Sequence, residues 1–388
     1  MALPLSLSTV VAGFVTVLVG FSSSAAVVFQ AATALGAGPA EIASWMWAIG
    51  IGIGVVGIGL SLRYRIPVVV AWSTPGAAML VTAAEGRTMP EAIGAFVVSA
   101  LLITIAGFSG VFARALHRIP VSLASAMLAG VLVRFGLDAF IAMRTEPVLA
   151  IGMLVAYLVA RRLSPRYAVV TALAAGVLIA GVSGLLHVDG LGLALATPVW
   201  TTPAFSVPAL VGIAVPLFIV TMASQNVPGV AVLKASGYEP PVSSLVGWTG
   251  TVNLVMAPFG GFTLNLAAIT AAICMGREAH PDPAKRYHAA VWAGVFYFLI
   301  GVSGATVGAV FAAFPKELVM AIAGLALFGT IGNGLATALG DESRREPALI
   351  TFLVTASGVT LAGIGAAFWG LVAGVLATFV LRYRRPSP

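Results

Sequence analysis

The chain has 388 residues, of which 60% are apolar and 9% charged, against about 25% charged in an ordinary soluble domain. Its 20 Lys and Arg and 13 Asp and Glu, with a net charge of +7, cannot coat a globule of this size, whereas 44 Gly, 22 Pro and a mean hydropathy of +1.06 suit helices packed in lipid. A water-soluble enzyme is thereby excluded, as is a nucleic-acid partner, because the basic residues sit in small clusters between apolar runs with no interleaved aromatics.

Met1 to Ser8 carries no basic leader and runs straight into an apolar stretch, so the first segment reads as a span with no cleaved signal peptide. With charge clusters, Pro and Gly as punctuation, spans fall at 5–35, 40–62, 67–84, 90–113, 119–140, 145–161, 166–187, 206–236, 240–257, 259–276, 284–313, 315–339, 346–364 and 366–382, fourteen in all. The run from Gly50 to Gly59 reads as close helix packing. The third segment is unusual: Pro67 to Ser73 is extended in character, and Thr74-Pro75-Gly76 then opens a short helix. Asp138 reads as the ion-pair partner of Arg134, four residues before it. In the eighth segment Gln225-Asn226 places adjacent amides in the membrane, and Pro228 removes a helix donor, which reads as a broken binding helix. The tenth segment repeats the third: Pro258 to Asn265 is Gly-rich and β-capable, with Asn265 in an N-cap position. His288 reads as a solvated histidine at the cytoplasmic interface. With the N-terminus inside, only Arg87, Arg134, Arg144 and Lys316 fall outside, which leaves 16 of the 20 basic residues in the cytoplasm and both termini there too.

Sliding Val11 to Trp47 onto Gly212 to Trp248 pairs Ser23 with Ser224, Gly36 with Gly237, Pro39 with Pro240 and Trp47 with Trp248. Segments one and three therefore correspond to eight and ten. The fold class expected is an all-α polytopic membrane protein with 14 transmembrane segments in a 7+7 inverted repeat and two strand-plus-half-helix segments, a transporter plan. Polar groups inside the membrane are functional candidates by default. They are Ser22, Ser23 and Ser24 in the first segment, Ser73 and Thr74 in the third, Gln225 and Asn226 in the eighth, and Thr263 and Asn265 in the tenth. Phe29, Trp72, Phe259 and Phe262 lie beside them and suit an aromatic ligand. None of the four segments holds a carboxylate, while two half-helix N-termini offer free N–H groups, so a carboxylate anion is the natural ligand. No cofactor or metal is expected: the four histidines are scattered, and neither hydrolase nor nucleotide-binding motifs occur. Cys274, the single cysteine, excludes an internal disulfide.

Four stretches, GFSSSAAVVFQAA (Gly20 to Ala32), WSTPGAAML (Trp72 to Leu80), TMASQNVPGVAVL (Thr221 to Leu233) and PFGGFTLNLAAITAAICMG (Pro258 to Gly276), resemble the benzoate:proton symporter family across essentially the whole chain. That family is similar in fold to the nucleobase and ascorbate transporters and to the sulfate and bicarbonate transporters. The resemblance implies a core domain of residues 1–116 and 204–314 that moves against a gate domain of residues 117–203 and 315–388. It further implies import of benzoate or a similar aromatic carboxylate with a proton by alternating access, in a bacterial inner membrane, with a homodimer through the gate as one arrangement. Nucleobase carriers place binding glutamates at positions that fall here on Ser224 or Gln225 and on Leu264, which adds Leu264 to the candidate site. Two charges 4 Å apart repel by about 4 kcal/mol at an effective dielectric near 20, so losing both carboxylates favours an anionic substrate. An anion channel, or a carrier for another small anion or a nucleobase, stays open at this stage.

Overall fold

The computed structural model describes residues 6–115, 121–187, 192–268, 270–277, 279–359, 361 and 366–382. In chain order its principal elements are α1 (Leu7–Ala34), α2 (Pro39–Tyr64), β1 (Val70–Trp72), α3 (Thr74–Ala83), α4 (Met89–Phe108), α5 (Val111–Ala115), α6 (Val121–Ile141), α7 (Pro147–Leu163) and α8 (Ala168–Val182). They continue with α9 (Val207–Lys234), α10 (Val242–Met256), β2 (Leu264–Leu266), α11 (Ala271–Met275), α12 (Tyr287–Val302), α13 (Gly304–Ala312), α14 (Lys316–Leu339), α15 (Arg345–Ala356) and α16 (Ala366–Arg382). Every segment marked in the sequence as a span coincides with one of these elements or with an adjacent pair. Among the described residues, α2, α4, α6 with the turn to Arg144, α9 and α14 are each long and apolar enough to cross a membrane. The two halves of α1 do so as a bent span of 45°, and α12 with α13 as one bent by 70°.

The tightest packing falls into two sets. In one, α2 lies on α12, α4 on α10, and α1 on α12 and α3; in the other, α6 lies on α14 and α15, α15 on α16, and α7 on α8. Glycines explain the first. A Cβ on Gly50 would come 2.6 Å from Gly301 Cα, and one on Gly54 would come 2.9 Å from Gly294 O, so α2 and α12 approach almost backbone to backbone.

The two strands cross antiparallel, Val70 opposite Leu266, Ala71 opposite Asn265 and Trp72 opposite Leu264. The ladder runs one pair further each way, through Ser73 N–H to Thr263 O (3.0 Å) and Ala267 N–H to Val69 O (2.9 Å). Gly260, in the turn before β2, takes φ 93°, and a Cβ there would overlap the Trp45 indole, so only glycine serves.

Two expectations change. First, α9 is not broken: it stays helical but widens into π-helical stretches at Leu210–Ala214 and Thr221–Asn226, each ending just before a Val-Pro pair, Val215-Pro216 and Val227-Pro228. Proline lacks the N–H that the preceding turn needs, and a wider turn absorbs the mismatch without a break. Second, Asn265 is no N-cap. It sits mid-strand, and α11 starts six residues later with Thr270 at its cap, because the ladder holds the backbone extended as far as Ala267. Residues 192–204, between the seventh and eighth segments, form no regular element, yet they are stitched to the ends of the first helix set. Ala194 N–H donates to Thr306 Oγ1 (2.9 Å), Ala196 N–H to Val302 O (2.8 Å), Val199 N–H to Ser44 Oγ (2.8 Å), Thr201 N–H to Pro258 O (2.8 Å) and Ala204 N–H to Pro90 O (2.9 Å). Two smaller readings also differ. His288 is 7% exposed, buried instead of solvated, and Arg134 and Asp138 form no salt bridge among the described residues.

Candidate functional site

The strand crossing brings the candidate residues of all four segments to one place, but gives them different tasks. On the first side, Ser73 caps α3: its Oγ accepts the Gly76 N–H at 3.0 Å, and Pro75 fixes the first turn. Thr74, half-buried, is the first residue of that helix. Ser24, on the flanking helix α1, donates to Gly20 O (2.9 Å) and accepts from Trp72 Nε1 (2.9 Å). Its hydroxyl is thus used in pinning the end of β1 to α1, which leaves little for a ligand. Back-bonding of this kind bends helices, in keeping with the 45° turn of α1 here. The side chains of Ser22 and Ser23, at the bend, lie outside the described residues.

On the second side, Asn226 is fully buried, and its Oδ1 accepts the Leu266 N–H at 3.0 Å while Nδ2 contacts Met222 Sδ at 3.3 Å. It braces the outer edge of β2. Leu264 has the same orientation as Leu266: paired residues alternate between bonded and unbonded positions in an antiparallel ladder, so its N–H points away from β1 towards α9. No group among the described residues accepts it. Thr221, five residues before Asn226 and so on the same face of the π-helical stretch, is fully buried with an unpartnered Oγ1. Gln225 is half-buried and makes no hydrogen bond, a free amide beside that edge. Asn265 and Thr263 are fully buried; Asn265 Nδ2 donates to Leu266 O (3.1 Å), while Asn265 Oδ1 and Thr263 Oγ1 have no partner.

The aromatic candidates separate. Phe262 is fully buried between Trp45 (5.8 Å) and Phe96 (6.2 Å). Phe259 lies against Trp47 (5.5 Å) and the exposed Trp200 (5.4 Å), the pattern of an interfacial aromatic belt. Phe29 stacks on Phe311 at 4.3 Å. The rings nearest the α3 start are ones the sequence did not pair: Trp72 meets Phe21 (5.7 Å) and Tyr297 (5.8 Å) edge to face. Tyr297 comes from α12, far away in the chain, and a tyrosine in an apolar helix carries no local signal. Thr221 was legible in principle, as a polar residue one turn before Gln225-Asn226.

At the N-terminal part of α1, away from the crossing, lies a cleft of about 410 Å³ walled by Leu7, Val11 and Val15 of α1, Tyr167, Ile273 of α11 and Ala279. It separates elements of the two packing sets. No cluster of three or more potential metal ligands occurs among the described residues.

Strands crossed inside a helical membrane protein, with hydroxyls and amides but no acid around them, define a membrane transport protein. The sequence pattern of the family described as benzoate membrane transport protein matches residues 4–380, and the chain belongs to that family. It is 48% identical over 373 residues to inner membrane protein YdcO of Escherichia coli K12, covering 96% of this chain and 95% of that one. It is 41% identical over 376 residues to the benzoate membrane transport protein of Acinetobacter baylyi, covering 97% and 95%. Among solved structures, the transmembrane domain of the cyanobacterial bicarbonate transporter BicA superposes with a TM-score of 0.59 at 14% identity, over 97% of both chains. Murine Slc26a9, an anion transporter captured in the inward-facing state, gives 0.56 at 11% identity over 97% of this chain and 68% of that one. The four stretches that suggested the family therefore named it correctly, and the chain is a transporter and not an enzyme.

Proposed function

We propose that the protein imports benzoate or a close aromatic carboxylate together with a proton. The observation that carries this is the chemistry of the strand crossing. The capped start of α3, the unaccepted Leu264 N–H and the free Gln225 amide are all donors, and none of the four contributing segments holds an acid. Donors in a site without fixed negative charge suit a carboxylate, while an uncharged base would find amide and hydroxyl oxygens to donate to but no carboxylate. Thr74 and Leu264 contribute backbone N–H groups, Gln225 orients the anion, and Ser24, Ser73, Asn226 and Asn265 hold the frame; Trp72 and Phe21 flank the ring. Thr263 lines the far side, and Phe262 and Phe259 act through packing.

The fourteen segments form a seven-plus-seven inverted repeat, with a core of spans one to four and eight to eleven and a gate of the rest. The two packing sets support that division, and the hydrogen bonds of residues 192–204 to α2, α4, α12 and α13 support counting that stretch with the core. Transport proceeds by alternating access. The cleft beside α1 and Ala279 opens on the side of the basic stretch Arg277 to Arg286, which fits a cytoplasm-facing state of a protein with both termini inside a bacterial inner membrane. A homodimer through the gate is part of the same reading.

Calorimetric titration of the purified protein with benzoate at pH 7.5, with uracil as the control, tests the substrate. Saturable heat for benzoate alone is the expected result. Heat for uracil, or for neither ligand, overturns the substrate and leaves the fold standing.

A further inference from the structure

Asn253 of α10 is fully buried, and among the described residues neither its Oδ1 nor its Nδ2 has a hydrogen-bond partner. A hydroxyl in that position can turn onto its own helix. A primary amide, with two donors and an acceptor, cannot.

The packing of α10 on α4 shows what faces it. A Cβ on Gly250 would lie 2.6 Å from Thr104 N, and one on Gly107 would overlap Gly247, so the helices run antiparallel with 250 beside 104 and 247 beside 107. Three residues past Gly250, Asn253 is level with Leu101, on the turn of α4 that also carries Ser99 and Ala100. Val246, two turns before Asn253 on the same stripe, clusters with Ile103 of α4 and Met222 of α9. Ser99 lies one turn from Ile103 on the matching stripe of α4, and it too is fully buried with an unpartnered Oγ.

We propose that Asn253 and Ser99 bind an ordered water molecule in the seam of α4 and α10, with Asn253 Oδ1, Asn253 Nδ2 and Ser99 Oγ as its three contacts. The ligand has to donate to Oδ1 and accept from Nδ2. A metal cation does only the first and leaves both amide hydrogens bare. An anion does only the second. Water does both and is commonly held by about three polar groups in a protein interior. The molecule then ties α10 to α4, a brace that needs no side chain long enough to span the gap.

The test needs no substrate, so its failure is separate from failure of the benzoate reading. A cryo-electron microscopy map of the intact protein that resolves ordered waters should show density within hydrogen-bond distance of the Asn253 amide and Ser99 Oγ. Thermal unfolding of Asn253→Leu, Ser99→Ala and the double variant supplies a second readout. A melting temperature lowered by a few degrees in each single variant, and by no more in the double, is the coupling that a shared water produces. A dry seam in the map, or an Asn253→Leu protein as stable as the parent or more so, overturns the proposal. So does stabilisation by sodium over choline chloride that is lost in Asn253→Leu, which assigns the seam to a cation.

Discussion

The two halves of the strand crossing perform one task by different means. In the first, Ser73 and Pro75 sit directly after β1, so the ten-residue helix α3 starts at once and its N-terminus aims at the crossing. In the second, the extended backbone overruns Asn265, no proline follows, and α11 is five residues long. The flanking helices differ in the same direction. Helix α1 bends at its serine run, whereas α9 widens into a π-helical stretch that pushes Asn226 towards the strand edge and leaves Gln225 free. Under the function proposed above, one side offers the ligand a helix end and the other a strand edge and an amide. Symmetry of the chain does not require symmetry of the chemistry.

The comparison can be broken most severely at Asn226. Changing it to Ala strips the Leu266 N–H of its acceptor in a buried site, which costs about 2–3 kcal/mol and should lower the unfolding temperature sharply with no compensating gain from added benzoate. Gln225→Ala is the opposite case: with no bond to lose, stability should hold, while benzoate affinity measured by calorimetry falls about tenfold, or about 1.4 kcal/mol. Unchanged affinity there would remove the strand-edge side from the site. Ser73→Ala removes the α3 cap and should cost about 1 kcal/mol of stability, with Ser73→Asp, also a cap, restoring the fold but repelling the anion. The smallest effect belongs to Asn265→Ala. Its amide bonds only its neighbour's carbonyl, so a loss of about threefold in affinity, roughly 0.7 kcal/mol, is expected from the same titration.

The order of the segments was readable in the sequence because apolar length, charge placement and Pro or Gly punctuation are local signals, and β1 with α3 came with its own start codon of Ser, Thr and Pro. Partner choice was not readable. Nothing near Asn226 announces that its amide will hold a strand forty residues on, and nothing around Phe262 says that Trp45 and Phe96 enclose it. Adjacent amides in a membrane do mark a special place, as Gln225 and Asn226 show. That Asn226 braces the backbone while Gln225 does not is decided by one turn of π-helical winding, a tertiary outcome of a proline two residues on.

The stretch from Ala194 to Ala204 has the look of an idle connector, with Pro and Thr in place of helix formers. Five of its amide hydrogens are nevertheless committed to α2, α4, α12, α13 and the turn before β2. In isotope exchange it should therefore behave as rigid framework, keeping its protons as long as the helices that it touches. A tag or protease site placed in it would unfasten several helices together, while the same insertion in an ordinary surface loop would pass unnoticed.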